Sequence, residues 1–384
     1  MSRKPGFLIV LIFFSLHING QTIRFEIRSV PSGYPADSTV YLAGSFNNWE
    51  PKNENYRFKR EPYGFSLNVT LNAGSYEYKI TRGGWDKVET QKTGAGIQNR
   101  QLVVRGNDTV QIKVESWQDK FPSHMIQKTS TASSHVCVLD TAFSIPQLNR
   151  TRRVWIYLPA DYCESKKKYP VLYMHDGQNV FDNLTSFSGE WGVDEFLDTT
   201  TLAQCIVVAI DHGGNRRLNE YNGYDNPRFG TGEGKMYVDF LVHTLRPFIN
   251  KNYRVKKDRE DTWIAGSSMG GLISFYAILQ YPKVFGGAGV FSPAFWTAPG
   301  IFEDIKNKGA EVKGSIYFMC GKKEGSNEED RNRMVSDMLK AFQEMAKVSK
   351  AKMESVIRDE GLHNEATWRK EFPLFYEWIN LKAH

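Results

Sequence analysis

Ser268 stands in Gly266-Ser267-Ser268-Met269-Gly270, with an apolar run over 262–265 before it and a helix-like run over 270–281 after it. Strand, sharp turn and helix with a serine at the apex is the layout of a nucleophile elbow. The glycines allow the tight turn, the hydroxyl stands above the sheet, and the N–H of Met269 faces a developing oxyanion. A serine hydroxyl is a poor nucleophile at neutral pH, so it needs a general base, and the base needs a carboxylate to hold its tautomer. On such an elbow the acid and then the histidine follow the serine in chain order. Only His363 and His384 lie beyond Ser268, and His384 is the last residue. His363, in Asp359-Glu360-Gly361-Leu362-His363-Asn364-Glu365, falls between a predicted strand and a predicted helix and is the expected base. The expected acid is Glu324, in the loop Cys320-Gly321-Lys322-Lys323-Glu324-Gly325. Glu328, Glu329 and Asp330 compete with it but read as the exposed first turn of the next helix.

A second oxyanion donor is expected from His175-Asp176-Gly177-Gln178-Asn179, the loop after an earlier strand, where glycine lets the backbone turn inward. The donor is assigned to the N–H of Gln178, with Gly177 as the alternative; His175 and Asp176 are read as shaping the loop. Trp191, Arg217, Tyr221 and Trp296, together with Glu220, are candidates to line a substrate cleft, Arg217 as the holder of a carboxylate or a sugar hydroxyl. None of this chemistry calls for a cofactor or a metal, and the four cysteines, Cys137, Cys163, Cys205 and Cys320, lack metal-ligand spacing. Cys205 and Cys320 fall in or beside apolar strand-like runs and are expected to be buried thiols; Cys137 and Cys163 could pair in an oxidising compartment.

These residues need a scaffold that brings distant loops to one edge. From 136 onward, strand-like runs at 136–145, 153–158, 171–174, 206–210, 262–265, 287–291, 316–319 and 353–357 come to alternate with helical periodicity at 234–250, 270–281, 328–347 and 365–379. That alternation predicts a largely parallel sheet covered on both faces, with catalytic groups at the carboxyl ends of the strands. Residues 21–118 differ: short alternating runs broken by Gly, Asn and Pro predict an all-β, immunoglobulin-like sandwich. A polar segment at 119–134 reads as a linker, so the expected domains are 21–118 and 135–384. Residues 1–20 carry Arg3 and Lys4 before an apolar run over 7–18 that is too short to span a bilayer. They read as a secretory signal peptide, implying a secreted or periplasmic protein with no membrane span in the mature chain. The formal charge of +6 comes with basic residues spread among nearly equal acids, which does not point to nucleic acid.

Four motifs in order carry a resemblance: Val171 to Asn179, Gly266 to Gly271, Ser292-Pro293-Ala294-Phe295-Trp296 and Gly361-Leu362-His363-Asn364-Glu365. Together they resemble the putative-esterase group of α/β-hydrolases, which includes enterochelin, feruloyl and acetyl-xylan esterases, over about residues 135–382. The resemblance implies an oxyanion hole from Gln178 and Met269, and a secreted serine carboxylesterase acting on carbohydrate-linked feruloyl or acetyl esters. It leaves two other readings, a siderophore (enterochelin-like) esterase and a glucan-binding protein with an inactive hydrolase domain. In the first domain, Val40 to Trp49 and Tyr76 to Glu89 look like starch- and glycogen-binding modules. That implies an α-glucan partner held by Trp49, Trp85, Lys87, Glu89 and Asn99, with the Trp49 indole open to an inward-folded alternative.

Overall fold

A computed structural model describes residues 20–31, 39–47, 49–94, 96–97, 99–121, 129–186, 189–227, 229–325 and 328–380. Apart from Gly20, the expected leader lies outside the described residues, as do 122–128 of the linker segment and His384. The chain divides into two compact units, Met1–Gln127 and Lys128–His384.

In the first unit the strands are β1 (Gln21–Ser29), β2 (Tyr41–Gly44), β3 (Lys59–Glu61), β4 (Gly64–Leu71), β5 (Gly74–Thr81), β6 (Glu89–Thr90), β7 (Arg100–Val104), β8 (Asp108–Lys113) and β9 (Ser116–Trp117). They form sheets of order β3-β4-β1-β8 and β2-β5-β7, with β6-β9 as a short pair. Side chains alternate across a pleated strand, so in β1 Ile23, Phe25 and Ile27 are buried while Arg24 and Glu26 between them are not. Ile23, Phe25, Leu67 and Val69 of one sheet and Leu42, Tyr78, Ile80 and Leu102 of the other share a single core. Two sheets closed over one apolar layer make the expected β-sandwich.

The second unit contains β10 (Val136–Ile145), β11 (Arg150–Tyr157), β12 (Val171–His175), β13 (Ile206–Ile210), β14 (Thr262–Ser267), β15 (Gly287–Phe291), β16 (Ser315–Gly321) and β17 (Lys352–Arg358). Its helices are α1 (Val193–Thr199), α2 (Arg217–Glu220), α3 (Gly234–Phe240), α4 (Arg246–Asn252), α5 (Met269–Gln280), α6 (Ile301–Lys308), α7 (Glu328–Val348) and α8 (Glu365–Asn380). The sheet has the order β10-β11-β13-β12-β14-β15-β16-β17. From β13 to β17 every pair is parallel, while β10 and β11 form an antiparallel edge. Both faces are covered, so β12, β13 and β15 are buried at every position rather than alternately. On one face Tyr173, Val208 and Ile264 pack with Leu272, Phe275 and Met338; on the other Leu172, Met174 and Ala265 pack with Trp368, Phe372 and Phe375. This is the α/β-hydrolase architecture.

The predicted helix over 234–250 is divided. A π turn, Leu241–Leu245, separates α3 from α4. Pro247 lies in the first turn of α4; it has no N–H for the carbonyl four residues back and its ring would strike that carbonyl, which a widened turn relieves. No helix among the described residues is long and apolar enough to cross a membrane.

The chain leaves β12 for β13 on one side and later returns to β14 on the other. Loops after β12 and β14 therefore depart in opposite directions and open a crevice at the carboxyl ends of those two strands.

Candidate active site

Because β12, β14, β15, β16 and β17 are parallel neighbours, the loops that follow them meet at one edge of the sheet. Those loops carry Gln178, Ser268, Ser292, Glu324 and His363. Three of them begin with a non-glycine residue at positive φ: Asp176 at 56°, Ser268 at 59° and Ser292 at 45°. Such backbone costs of order 1–3 kcal/mol at each position and persists only where the surroundings enforce it, which is a mark of functional sites.

Ser268 is the residue between β14 and α5, with φ 59° and ψ −120°. Its N–H donates to the Phe291 carbonyl at 2.9 Å and its own carbonyl accepts from Leu272 and Ala294, so the turn is tied to β15 and to the loop after it. The flanking glycines act through close approach rather than unusual dihedrals. A Cβ on Gly266 would lie 2.9 Å from the Gly270 carbonyl carbon and 3.0 Å from the His175 ring. Met269 opens α5, so its N–H belongs to the first turn, which has no intrahelical acceptor.

His363 and Glu324 come together. The ring Nδ1 of His363 lies 3.0 Å from Oε2 of Glu324, a residue only 1% exposed, while the His363 ring remains accessible. Taking the Nδ1–H tautomer, Nε2 is left free to accept a proton. The other oxygen of Glu324 accepts from the Gly321 N–H at 2.6 Å and the Ser292 hydroxyl at 2.5 Å. Glu328 and its neighbours begin α7 instead. Among the described residues no hydrogen bond joins the Ser268 hydroxyl to His363. In unliganded hydrolases this contact is commonly long and closes with substrate.

Gln178 lies in the 3-10 turn Gly177–Asn179 directly after β12. The turn is braced: the Gln178 side-chain carbonyl accepts from the His212 N–H at 3.3 Å, and its backbone carbonyl accepts from the Thr185 hydroxyl at 2.8 Å. Gly177 is pressed against β13, where a Cβ would meet the backbone of Ala209 and Ile210 at 2.9 Å. Below the turn, Arg217 makes a bidentate pair with Asp176, both contacts at 2.7 Å. Burial alone would raise the Asp176 pKa; the Arg217 charge and hydrogen bonds, with smaller contributions from His212 and His175, together outweigh it and hold the carboxyl below its ordinary value. His175 is buried with Nδ1 3.0 Å from the Tyr237 hydroxyl, and burial pushes its pKa down to about 3, so it is a neutral packing group. Burial also raises the pKa of Glu365, whose carboxylate accepts from the Asn179 amide at 3.0 Å.

Several expected contacts belong to the interior. Tyr221 is fully buried, its hydroxyl taking the Asp176 N–H, and Trp191 is buried with its ring stacked on Trp368 at 5.8 Å. Neither presents a surface to a ligand; both lie beneath the site, because partners distant in sequence cover them. Glu220 is likewise buried, paired with Arg150 and Arg152. Arg217 has its guanidinium committed to Asp176, so it shapes the loop rather than offering a free cation. Trp296 alone of the four keeps an open face, 39% exposed, with Arg333 over its ring at 5.2 Å and the Phe229 ring edge-on. Sequence reading missed Ser292 and Trp368 as members of the site; the first was signalled by a serine directly after the 287–291 strand, the second only by its place one turn into the helix after His363.

In the sandwich, Trp85 is 43% exposed on a 3-10 turn, and the Trp49 ring lies 6.3 Å from it. Lys87 is exposed beside them. Glu89 is not a surface group: it is buried, its carboxylate bonded to the Ile80 N–H and paired with Arg100. Asn99 donates its amide to Glu77 at 3.0 Å. Among the cysteines, Cys137 and Cys163 are free and exposed, and Cys205 and Cys320 are buried.

A family model described as Putative esterase matches residues 145–376, more than half of the chain. The chain belongs to this family. The esterase is thus a carboxylic ester hydrolase with the α/β-hydrolase fold. Over 221 residues, 56% of this chain, it is 28% identical to the Endo-1,4-beta-xylanase/feruloyl esterase of Xylanibacter ruminicola, covering 27% of that protein. Over 102 residues, 26% of this chain, it is 44% identical to the Alpha-amylase of Niallia circulans, covering 8% of that protein. The esterase therefore spans less than a third of either relative. Among solved structures, the BES protein from Bacillus cereus superposes with a TM-score of 0.54 at 17% identity, over 66% of this chain and 98% of that one, a likeness of fold.

Proposed function

We propose that this hydrolase is an exported serine esterase that cleaves carbohydrate-linked esters, feruloyl or acetyl, through an acyl-enzyme on Ser268. The observation that carries the reading is a serine held in strained backbone at the crevice between β12 and β14, on the same edge as a histidine bonded to a buried glutamate. In the proposed reaction the Ser268 oxygen attacks the ester carbonyl and its proton passes to Nε2 of His363. Glu324 holds Nδ1–H and stabilises the imidazolium. The N–H groups of Gln178 and Met269 receive the negative oxygen of the tetrahedral intermediate. Its collapse breaks the bond to the alcohol, which leaves with the proton from His363; water then repeats the sequence on the acyl-enzyme and frees the acid.

The carbohydrate link is supported by the pairing of xylanase with feruloyl esterase in the name of one relative. It is supported too by the 102-residue length of the amylase match, the size of the sandwich rather than of the hydrolase unit. The neighbouring indoles of Trp49 and Trp85 suit stacking on an α-glucan. Export is the reading of the basic and apolar leader at 1–20. The test is a panel of methyl ferulate, acetylated xylan, p-nitrophenyl acetate and a catecholate siderophore triester, assayed with the full chain. Release of ferulate or acetate from the carbohydrate-type esters is expected. Hydrolysis of the siderophore with neither released would replace the substrate class while keeping the chemistry.

A further inference from the structure

We propose that the Ser292 hydroxyl and the Trp368 indole are a positioning pair that fixes the Glu324 carboxylate for His363. The inference rests on the reading of Ser268, His363 and Glu324 as the reacting set. Ser292 is fully buried just beyond β15, at φ 45°, with its N–H donating to the Met319 carbonyl at 2.7 Å. Its backbone is therefore pinned to the neighbouring strand, and that holds the side chain at the floor of the Glu324 loop. A hydroxyl has one proton. The Trp368 Nε1–H donates to the Ser292 oxygen at 2.8 Å, which leaves the Ser292 proton for Oε1 of Glu324 at 2.5 Å.

With the Gly321 N–H on the same oxygen at 2.6 Å, Oε1 has two donors, and Oε2 is turned to Nδ1 of His363. The chain of contacts then closes on itself, because the Trp368 ring meets the His363 ring edge-on, centroids 5.2 Å apart and planes at 83°. His363, Glu324, Ser292 and Trp368 thus form a ring in which each member limits the rotation of the next. Trp191, stacked on Trp368 at an interplanar angle of 28°, backs the indole, which gives this buried tryptophan a role that its burial denies it at the substrate. Neither Ser292 nor Trp368 touches the reacting atoms in this account; both act through Glu324.

The experiment measures kcat and KM of the full chain on p-nitrophenyl acetate for Ser292→Ala and Trp368→Phe, alone and combined with Glu324→Ala, beside Ser268→Ala. Each single variant is expected to lower kcat by about 10- to 100-fold with KM within about twofold, the scale at which a misdirected catalytic group loses rate. A residue acting through Glu324 has nothing to act on once that side chain is gone, so the further loss in the Glu324→Ala background should be under about threefold. Full kcat in either single variant, or the same loss with and without Glu324, would overturn the pair. Should Ser292→Ala fail to fold by circular dichroism, Trp368→Phe decides, since it removes the Nε1–H and trims the indole to a single ring while keeping an aromatic against His363. Turnover surviving in Ser268→Ala would instead overturn the reading of the site itself. An inactive Ser268→Ala beside fully active Ser292→Ala and Trp368→Phe would overturn the positioning pair alone.

Discussion

Replacing Ser268 by glycine should remove activity and at the same time stabilise the hydrolase unit. The residue holds φ 59° and ψ −120°, a conformation that an L side chain resists and glycine adopts freely. Relief of that strain is worth about 1–3 kcal/mol, and the extra freedom of glycine in the unfolded chain takes back roughly 0.4–1 kcal/mol. The comparison that isolates the backbone is Ser268→Gly against Ser268→Ala, because both lack the hydroxyl and only alanine keeps a Cβ. The glycine variant should exceed the alanine variant by about 0.5–2 kcal/mol. At roughly 2–4 °C per kcal/mol for a unit of this size, the melting temperatures should differ by about 1–8 °C. Differential scanning calorimetry of the full chain reads this directly, with the sandwich, which residue 268 does not belong to, as the internal reference. A glycine variant no more stable than the alanine variant would mean that the turn stores no strain.

Burial and exposure set the remaining outcomes. His175 has its pKa lowered to about 3 from an ordinary 6.5. The unfolded chain therefore binds this proton first as pH falls, and the stability it contributes is present above about pH 6.5 and lost below it, at roughly 1.4 kcal/mol per pH unit. The Asp176 carboxylate, the Arg217 guanidinium and the Tyr237 hydroxyl stay in place in His175→Gln, so urea unfolding of that variant between pH 6.5 and 5 should show a correspondingly shallower decline; parallel slopes would refute it. In the sandwich, Trp85→Ala should abolish retention on starch in affinity electrophoresis while leaving the melting temperature unchanged. Glu89→Ala should melt the unit earlier, because it removes the buried acceptor of the Ile80 N–H and the partner of the half-buried Arg100, a loss of about 1–3 kcal/mol. Equal melting of the two variants would contradict that division.

What the sequence made legible is what short-range pattern can carry. Strand, turn and helix around Ser268, the loop placement of Glu324 and His363, and the change from period-two to alternating elements all follow from neighbours within a dozen residues. Burial does not. Trp191 and Tyr221 are aromatic and lie near the motifs, which is how substrate contacts read in a sequence, yet Trp368 and Asp176, 177 and 45 residues away, enclose them. Glu89 fits a sugar-binding pattern until Arg100 and the Ile80 amide claim it. The Arg217 side chain reads as a free cation until Asp176, 41 residues before it, engages its Nε and Nη2. The Ser292 and Trp368 contacts escaped for the same reason, being set by which strands and helices become neighbours.

An acyl group that passes through Ser268 can be trapped there. The full chain would be mixed with p-nitrophenyl acetate, quenched in acid within the first turnovers, and digested for peptide mapping by mass spectrometry. One added acetyl group is expected on the peptide containing Gly266-Ser267-Ser268-Met269-Gly270, fragmenting to Ser268, and it should disappear together with turnover in Ser268→Ala. Turnover that persists in Ser268→Ala, or an acetyl group that maps to another residue and is lost at the rate of turnover, would contradict it.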